Sequence, residues 1–111
     1  MQFNFVDRGG GFYSIHTVNG DTSLCLNISN GTASPGDGTT PGAPGNLIQW
    51  NCGQSAIPAN ELFSLSDDGR GRVRIRVKSS GLCLEDPGRG GTIRQNRCNG
   101  PSLNQMFILT D

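Results

Sequence analysis

The sequence predicts a single all-β domain, and three observations lead to that prediction. The chain has 111 residues, which is enough for one domain with a modest core. Its 17 glycines and 6 prolines separate short runs of β-branched and aromatic residues, as is typical of strands joined by many turns. Three sequence blocks occur twice in the same order, which indicates an internal duplication.

The repeated blocks define two units with four candidate strands each. LCLNIS (24–29) recurs as LCLEDP (82–87), IQWNC (48–52) as RQNRC (94–98) and NELFSL (60–65) as NQMFIL (104–109). The candidate strands of the first unit are 12–17, 24–28, 46–51 and 61–65, and those of the second are 72–77, 82–85, 92–97 and 105–109. Apolar and polar residues alternate most regularly in RVRIRV (72–77), as expected of a strand with one buried face.

The N-terminal segment MQFNFVD has the same form as ELFSLSD and QMFILTD, in which alternating apolar residues lead to an aspartate. We therefore interpret residues 3–6 as the fourth strand of an earlier unit whose first three strands are absent. The expected organisation is one domain, 1–111, made of a terminal strand (1–7), a first repeat (8–66) and a second repeat (67–111).

The four cysteines occupy equivalent places in the two units, so repeat symmetry favours the pairs Cys25–Cys52 and Cys83–Cys98 among three connectivities. Such disulfides indicate an oxidising, extracellular compartment. A zinc site is the weaker alternative, because paired ligands such as CxxC are missing and the single histidine, His16, is remote in sequence. The chain has no run of eighteen apolar residues, so no membrane span is expected.

The order of these motifs resembles the ricin B-type lectin repeat, the β-trefoil carbohydrate-binding module that also occurs in the trefoil subunits of bacterial toxins. The resemblance rests on LCLN…IQWNC…NELF and LCLE…RQNRC…NQMF and covers nearly the whole chain. It implies a β-trefoil of three four-stranded units, of which this chain supplies two and a leftover strand. We therefore expect a fragment, or a second chain or self-association that completes the trefoil. A third unit hidden in residues 29–46 is the remaining alternative, but SNGTASPGDGTTPGAPGN has the composition of a loop, either a functional one or a plain surface insertion.

The resemblance also implies sugar sites. In such lectins an acid two residues after the first cysteine accepts sugar hydroxyls, an aromatic two residues before the second cysteine stacks on the sugar ring, and a following Asn-Gln pair completes the hydrogen bonds. In the first unit these places hold Asn27, Trp50, Asn60 and Glu61, so the acid has moved to the place of the glutamine. The alternative is that Trp50 packs over the disulfide and Asn60 serves a turn.

In the second unit the same places hold Glu85, Asn96, Asn104 and Gln105, so the acid and amides are kept but the stacking aromatic is lost. The alternative role of Asn104 and Gln105 is to support the turn. Phe63 and Phe107 stand at the family's usual tryptophan position and are expected in the core.

The balanced total charge hides two halves of opposite sign. Residues 1–69 contain one basic and six acidic side chains, and residues 70–111 contain eight basic and three acidic ones. Arg72, Arg74 and Arg76 are predicted to line one face of one strand. That face is either simply solvated or a surface for a protein, an anionic glycan or a phosphate group. Nucleic acid is not expected, because no aromatic residues are interleaved with these arginines.

No motif of a known catalytic or cofactor site is present, so neither an enzyme nor a cofactor is expected. The resemblance favours a non-catalytic, lectin-like targeting module that binds a glycan or glycoprotein, within a larger secreted toxin or hydrolase. The alternative is a protein-binding trefoil, such as a structural toxin subunit or a protease inhibitor, with degenerate sugar sites.

Overall fold

The computed structural model of the chain describes residues 3–17, 24–52, 56–100 and 102–108. These residues form nine β-strands: β1 Phe3–Asp7, β2 Tyr13–Thr17, β3 Leu24–Ile28, β4 Leu47–Asn51, β5 Phe63–Asp67, β6 Arg72–Val77, β7 Cys83–Glu85, β8 Arg94–Asn96 and β9 Phe107–Ile108. The prediction of an all-β chain with two four-stranded repeats and an extra N-terminal strand is confirmed. The predicted end of the last strand at Leu109 lies outside the described residues.

Six predicted strands begin one or two residues later than the sequence indicated, and for two of them the cause is a short helix. Residues 61 and 105 were expected to open strands, but they end short 3₁₀ helices, Ala59–Glu61 and Leu103–Gln105. In each helix a backbone N–H bonds three residues back, from Leu62 to Ala59 O and from Met106 to Leu103 O. The tight turn aims the side chain of its last residue inward, and both of these residues are buried.

The two repeats share one pattern of antiparallel pairing. In the first, β2 pairs with β3 and β5, and β3 pairs with β4. In the second, β6 pairs with β7 and β9, and β7 pairs with β8. The β1–β2 register, from Phe3↔Thr17 to Asp7↔Tyr13, recurs sixty residues later in β5–β6, from Phe63↔Val77 to Asp67↔Val73. Strand β1 therefore pairs with the first strand of the first repeat in the same way as β5 pairs with the first strand of the second repeat.

The sheet is nearly closed on itself. Its strand order is β4-β3-β2-β5-β6-β7-β8, and an antiparallel bridge between Asn46 and Arg94 joins the two ends of that order. Leu47 N–H donates to Ile93 O at 2.8 Å beside the bridge, so the β3–β4 and β7–β8 hairpins meet there.

The inward faces of both repeats form one core. Its buried members are Ile15, Leu26, Ile28, Phe63, Ile75, Val77 and Leu84. Phe63 is fully buried, as expected for the family's core position, whereas the equivalent Phe107 is only partly buried. Phe107 lines a gap in the core together with its neighbour Ile108.

This gap is an apolar cavity of about 200 Å³ between β1, β9 and the inner faces of the hairpins. Phe3 and Ile108 stand at its edge, and the side chain of Ile108 is 70% exposed. We call it the open core face; it is lined by Phe3, Phe5, Ile15, Leu26, Leu47, Ile75, Leu84, Ile93, Phe107 and Ile108. Apolar surface of this kind is normally covered in a stable fold.

The long segment 29–46 contains no strand, but it is not a plain surface insertion. Gln95 of β8 is fully buried, and its side chain donates to Thr32 O and Ser34 O at 2.8 Å each. The Gln95 backbone bonds Gly36 N–H and Gly45 O. The segment therefore docks on the second repeat.

Asn46, the last residue of this segment, forms side-chain hydrogen bonds with other residues of the segment. It is fully buried, its side-chain amide donates to Asp37 Oδ1 at 2.7 Å and to Thr40 O at 2.8 Å, and its Oδ1 accepts from Gly38 N–H. The backbones of Gly36 and Gly45 are in contact and leave no room for a Cβ atom at either position. These contacts satisfy polar backbone groups of a segment that forms no strand of its own.

Candidate functional site

The β3–β4 hairpin places two of the sequence-predicted residues of the first repeat, Asn27 and Trp50, on one face. Across the two strands, Cys25 lies opposite Trp50 and Asn27 lies opposite Ile48. These four side chains therefore share the outer face of the hairpin. Leu26, Ile28 and Leu47 point to the core instead. Trp50 is 60% exposed, so it is not a core residue, and its flat ring is available to a ligand.

Three polar residues near Trp50 are joined by hydrogen bonds. Asn27 Nδ2 donates to Glu61 Oε2 at 2.8 Å, and Asn60 Nδ2 donates to Asn27 Oδ1 at 3.2 Å and to Ile28 O at 3.1 Å. Glu61 is only 1% exposed and Asn27 is also buried, whereas Asn60 is half-buried. The structure thus brings Asn27, Asn60 and Glu61 together, with the carboxylate at the bottom and the amide of Asn60 nearest to solvent.

The second repeat has an equivalent cluster around Glu85. Glu85 Oε2 accepts from Arg94 Nε at 2.8 Å and from Asn96 Nδ2 at 2.9 Å, and Oε1 accepts from Gln105 Nε2 at 3.2 Å. Arg94 Nη2 lies 2.6 Å from Glu85 Oε2. The remaining predicted residue, Asn104, is exposed, and its backbone carbonyl accepts from Asp86 N–H. Both oxygens of the predicted acid are therefore already occupied by the protein.

These contacts set the protonation of Glu85. Burial alone would raise the pKa of Glu85, but the hydrogen bonds from Asn96 and Arg94, the positive charge of Arg94 and the hydrogen bond from Gln105 together lower it below the ordinary value of a glutamate. The carboxylate is therefore charged at neutral pH and paired with an arginine of its own chain.

The two clusters contain the same bond with donor and acceptor exchanged. In the second repeat the amide of Gln105 donates to the carboxylate of Glu85, and in the first repeat the amide of Asn27 donates to the carboxylate of Glu61. The acid and the amide have swapped places along the sequence, but the bond between the hairpin and the 3₁₀ helix is kept. Sequence inspection indicates the displaced acid but not this contact.

Each cluster lies beside a disulfide. The bonds are Cys25–Cys52 and Cys83–Cys98, the pairing that repeat symmetry predicted. Both first cysteines, Cys25 and Cys83, are fully buried. The disulfides tie together the two strands of each outer hairpin.

His16 is remote from the cysteines in sequence, but the fold places it beside one disulfide. Pairing of β2 with β3 sets His16 opposite Cys25, and its Nδ1 lies 3.6 Å from Cys25 Sγ and 3.5 Å from Cys52 Sγ. Its Nε2 is 2.9 Å from Ser14 Oγ, which also accepts from Arg8 Nε. Both sulfurs are already joined to each other, and Ser14 is fully buried.

Arg94 is a residue of the candidate sites that sequence reasoning missed. In the sequence it is only part of a repeated block, at the place that Ile48 holds in the first repeat. The cross-strand register of β7 and β8 sets it opposite Glu85, and that register could only have been inferred by fixing the length of the intervening loop.

The sequence matches the ricin-type β-trefoil lectin domain-like family over residues 1–96. A comparison with curated proteins found no match. No helix in the part of the chain that the structure describes is long and apolar enough to cross a membrane.

Similar solved structures are β-trefoils. The designed three-fold symmetric protein ThreeFoil has a TM-score of 0.78 and 25% identity, and the match covers 98% of this chain and 71% of that chain. The exo-β-1,3-galactanase 1,3Gal43A from Clostridium thermocellum has a TM-score of 0.77 and 24% identity, covering 96% of this chain and 21% of that chain. The Haemophilus ducreyi cytolethal distending toxin has a TM-score of 0.67 and 16% identity, covering 96% of this chain and 58% of that chain.

The motifs, the duplicated strand pairing and the family match agree with one another. The chain belongs to the ricin-type β-trefoil lectin domain-like family.

Proposed function

We propose that this chain is a non-catalytic carbohydrate-binding module of a secreted protein, with its sugar site on the β3–β4 hairpin around Trp50. The observation that supports the proposal most strongly is the exposed indole of Trp50, 60% accessible, on the same hairpin face as a cluster of amides and a carboxylate. A sugar offers a flat C–H face and a rim of hydroxyls, which suits an aromatic plate beside planar polar groups. The two disulfides support an extracellular location.

In this site Trp50 stacks on the sugar ring, and the amides of Asn60 and Asn27 meet its hydroxyls. Glu61, buried beneath them, orients Asn27 through their 2.8 Å hydrogen bond. The second repeat is the weaker sugar site, because Asn96 replaces the aromatic residue and Arg94 occupies the Glu85 carboxylate.

Trp50 is the only tryptophan in the chain, so its fluorescence reports on this site directly. A glycan array on the natural full-length protein identifies candidate sugars, and titration of the best of them should shift the emission of Trp50. Trp50→Ala should abolish binding while unfolding remains cooperative, and Asn104→Ala in the other repeat should have much less effect.

The matched control is Leu103→Ala, which removes another exposed apolar side chain, 67% accessible, from the second repeat. It should leave binding unchanged. If Trp50→Ala binds as well as the parent protein, or if it no longer folds, the site is not where we place it.

We further propose that a third trefoil unit, from another chain or from self-association, covers the open core face. Its support is the apolar cavity lined by Phe3, Phe107 and Ile108, together with the match to a three-fold symmetric protein of which this chain covers 71%. A strand edge beside such a cavity favours further association.

Sedimentation of the isolated chain at micromolar concentration tests this second proposal. Association is expected, and substitution of Ile108 by lysine should weaken it. A cooperative 11.8 kDa monomer would refute the proposal and leave the sugar site unaffected. The open core face also favours the alternative function, a protein-binding trefoil, and that alternative gains support if the array yields no glycan.

A further inference from the structure

The outer face of the β5–β6 hairpin contains a pocket that the proposed sugar site does not use. Ser64 pairs with Arg76 and Ser66 with Arg74, so all four side chains point to the same outward side. They line a pocket of about 180 Å³, which we call the serine–arginine pocket. The inward side chains of the same strands, Leu65 and Ile75, belong to the core.

The two arginines of this pocket have no carboxylate partner among the described residues. Those residues contain two ion pairs, Arg72–Asp68 and Arg94–Glu85, and neither involves Arg74 or Arg76. The neighbouring Arg72 is therefore neutralised at the turn of the hairpin, whereas the described residues leave the positive charge inside the pocket uncompensated.

Arg74 is held in place but keeps an unused donor. Its Nη2 donates to Asn99 O at 2.8 Å and to Gly100 O at 2.9 Å, which fixes the guanidinium group. Its Nε is buried and has no hydrogen-bond partner in the described part of the chain. A buried, unpaired donor on a charged group is costly, so the described residues leave the guanidinium group of Arg74 incompletely satisfied.

We propose that the serine–arginine pocket binds a tetrahedral oxyanion, namely a sulfate or phosphate monoester group. Two guanidinium groups supply charge and planar sets of donors, and two serine hydroxyls supply further donors around the same space. The oxygens of the anion accept from the guanidinium groups of Arg74 and Arg76 and from the hydroxyls of Ser64 and Ser66. This site is separate from Trp50 and does not depend on sugar binding there.

The anion has two sources of the same chemistry, a free inorganic ion or a sulfated or phosphorylated glycan. The natural full-length protein is titrated by calorimetry with sodium sulfate, sodium phosphate, N-acetylglucosamine 6-sulfate and glucose 6-phosphate, at constant ionic strength. Uncharged N-acetylglucosamine is the negative probe. Tighter binding of the sugar esters than of the inorganic ions assigns the site to an anionic glycan, and equal binding assigns it to the free ion.

Arg76→Gln is the main test, because the Arg76 side chain is exposed and its loss should not disturb the fold. It should weaken binding of the anions about tenfold or more, as expected for loss of a charge-assisted hydrogen bond. Arg74→Gln should weaken it at least as much, and its folding is checked by circular dichroism because it also loses the bonds to Asn99 and Gly100. The matched control is Arg70→Gln, which removes the same charge from the exposed turn outside the pocket.

Retention of anion binding in Arg70→Gln with loss in Arg76→Gln supports the site. Equal losses in these two variants mean that only the overall charge of the second half attracts anions, and this overturns the proposal. Absence of binding for all four anionic probes overturns it as well.

Discussion

The exchanged hydrogen bond between Asn27 and Glu61 allows a direct test of the equivalence of the two repeats. Asn27→Asp places two acids in the first repeat, and Glu61→Gln places two amides there. The double variant gives the first repeat the arrangement that is found in the second repeat. If the two clusters are equivalent, the double variant should be more stable than the sum of the single substitutions allows.

The magnitude follows from the geometry. Asn27 Nδ2 and Glu61 Oε2 are 2.8 Å apart and both residues are buried, so Asn27→Asp puts two carboxylates in contact out of water. They cannot both stay charged, and protonating a carboxyl of ordinary pKa near 4 at pH 7 costs about 4 kcal/mol, which sets the upper limit of the loss.

Glu61→Gln alone should cost less, about 1–2 kcal/mol, because an amide can still bond to Asn27. In the double variant the introduced glutamine donates to the introduced aspartate, as Gln105 donates to Glu85 in the second repeat. The coupling between the two substitutions should therefore reach about 3 kcal/mol in favour of the double variant.

Urea unfolding followed by circular dichroism at pH 7 and pH 4.5 measures all four proteins. Any other contact of Glu61 cancels from the coupling free energy of this double-mutant cycle, because that contact is lost in both variants that lack the glutamate. The cost of Asn27→Asp should shrink at pH 4.5, where protonating a carboxyl is easy. Additive losses in the double variant, or a cost of Asn27→Asp that does not change with pH, would refute the reasoning.

Three other predictions concern stability. Gln95→Leu should lower the free energy of unfolding by about 2–4 kcal/mol, because the side chain loses two donated hydrogen bonds and one accepted from Ser80 in a fully buried site. The control is Gln49→Leu, the exposed equivalent in the first repeat, which should change the free energy of unfolding by less than about 0.5 kcal/mol. Equal effects of the two substitutions would contradict the docking of segment 29–46. The pKa of Glu85 is lowered in the folded protein, so its charge stabilises the fold at pH values above the ordinary pKa of a glutamate, and this contribution is lost as the pH falls. Glu85→Gln should therefore be less stable than the parent protein at pH 7, and the difference in free energy of unfolding should disappear toward pH 3. A difference that stays constant with pH would contradict this prediction. Mass mapping without reduction should recover only Cys25–Cys52 and Cys83–Cys98, and replacing the second pair by alanine should cost about 3 kcal/mol for a closed loop of 15 residues; a Cys25–Cys83 bond would contradict the repeat assignment.

Much of the fold could be predicted because it follows from local sequence patterns. RVRIRV alternates residue by residue, so β6 was predicted with its observed bounds, 72–77. The disulfides followed from equivalent positions in two repeats. The late starts of β5 and β9 were missed, because Leu62 and Met106 extend the apolar runs of these strands toward the N-terminus, and the 3₁₀ turns before them end on the buried side chains of Glu61 and Gln105.

The site was less predictable because its contacts join residues that are distant in sequence. Exposure of Trp50 depends on which face of the hairpin is covered, and the pairing of Arg94 with Glu85 depends on a register set by the loop between them. His16 meets the disulfide only because β2 and β3 are neighbours. Segment 29–46 binds the second repeat through backbone carbonyls and one buried glutamine, and no periodicity reveals bonds of that kind.

The docking of segment 29–46 has a consequence for how the domain folds. Gly36 N–H is bonded to Gln95 O, and Gln95 N–H to Gly45 O, so each repeat protects amide protons of the other across about fifty residues or more of chain. Neither repeat can complete its hydrogen bonds while the other is unfolded, and such distant contacts form late and slowly. In native-state hydrogen exchange these amides should open only with the whole domain, and the two repeats should unfold as one unit rather than one after the other.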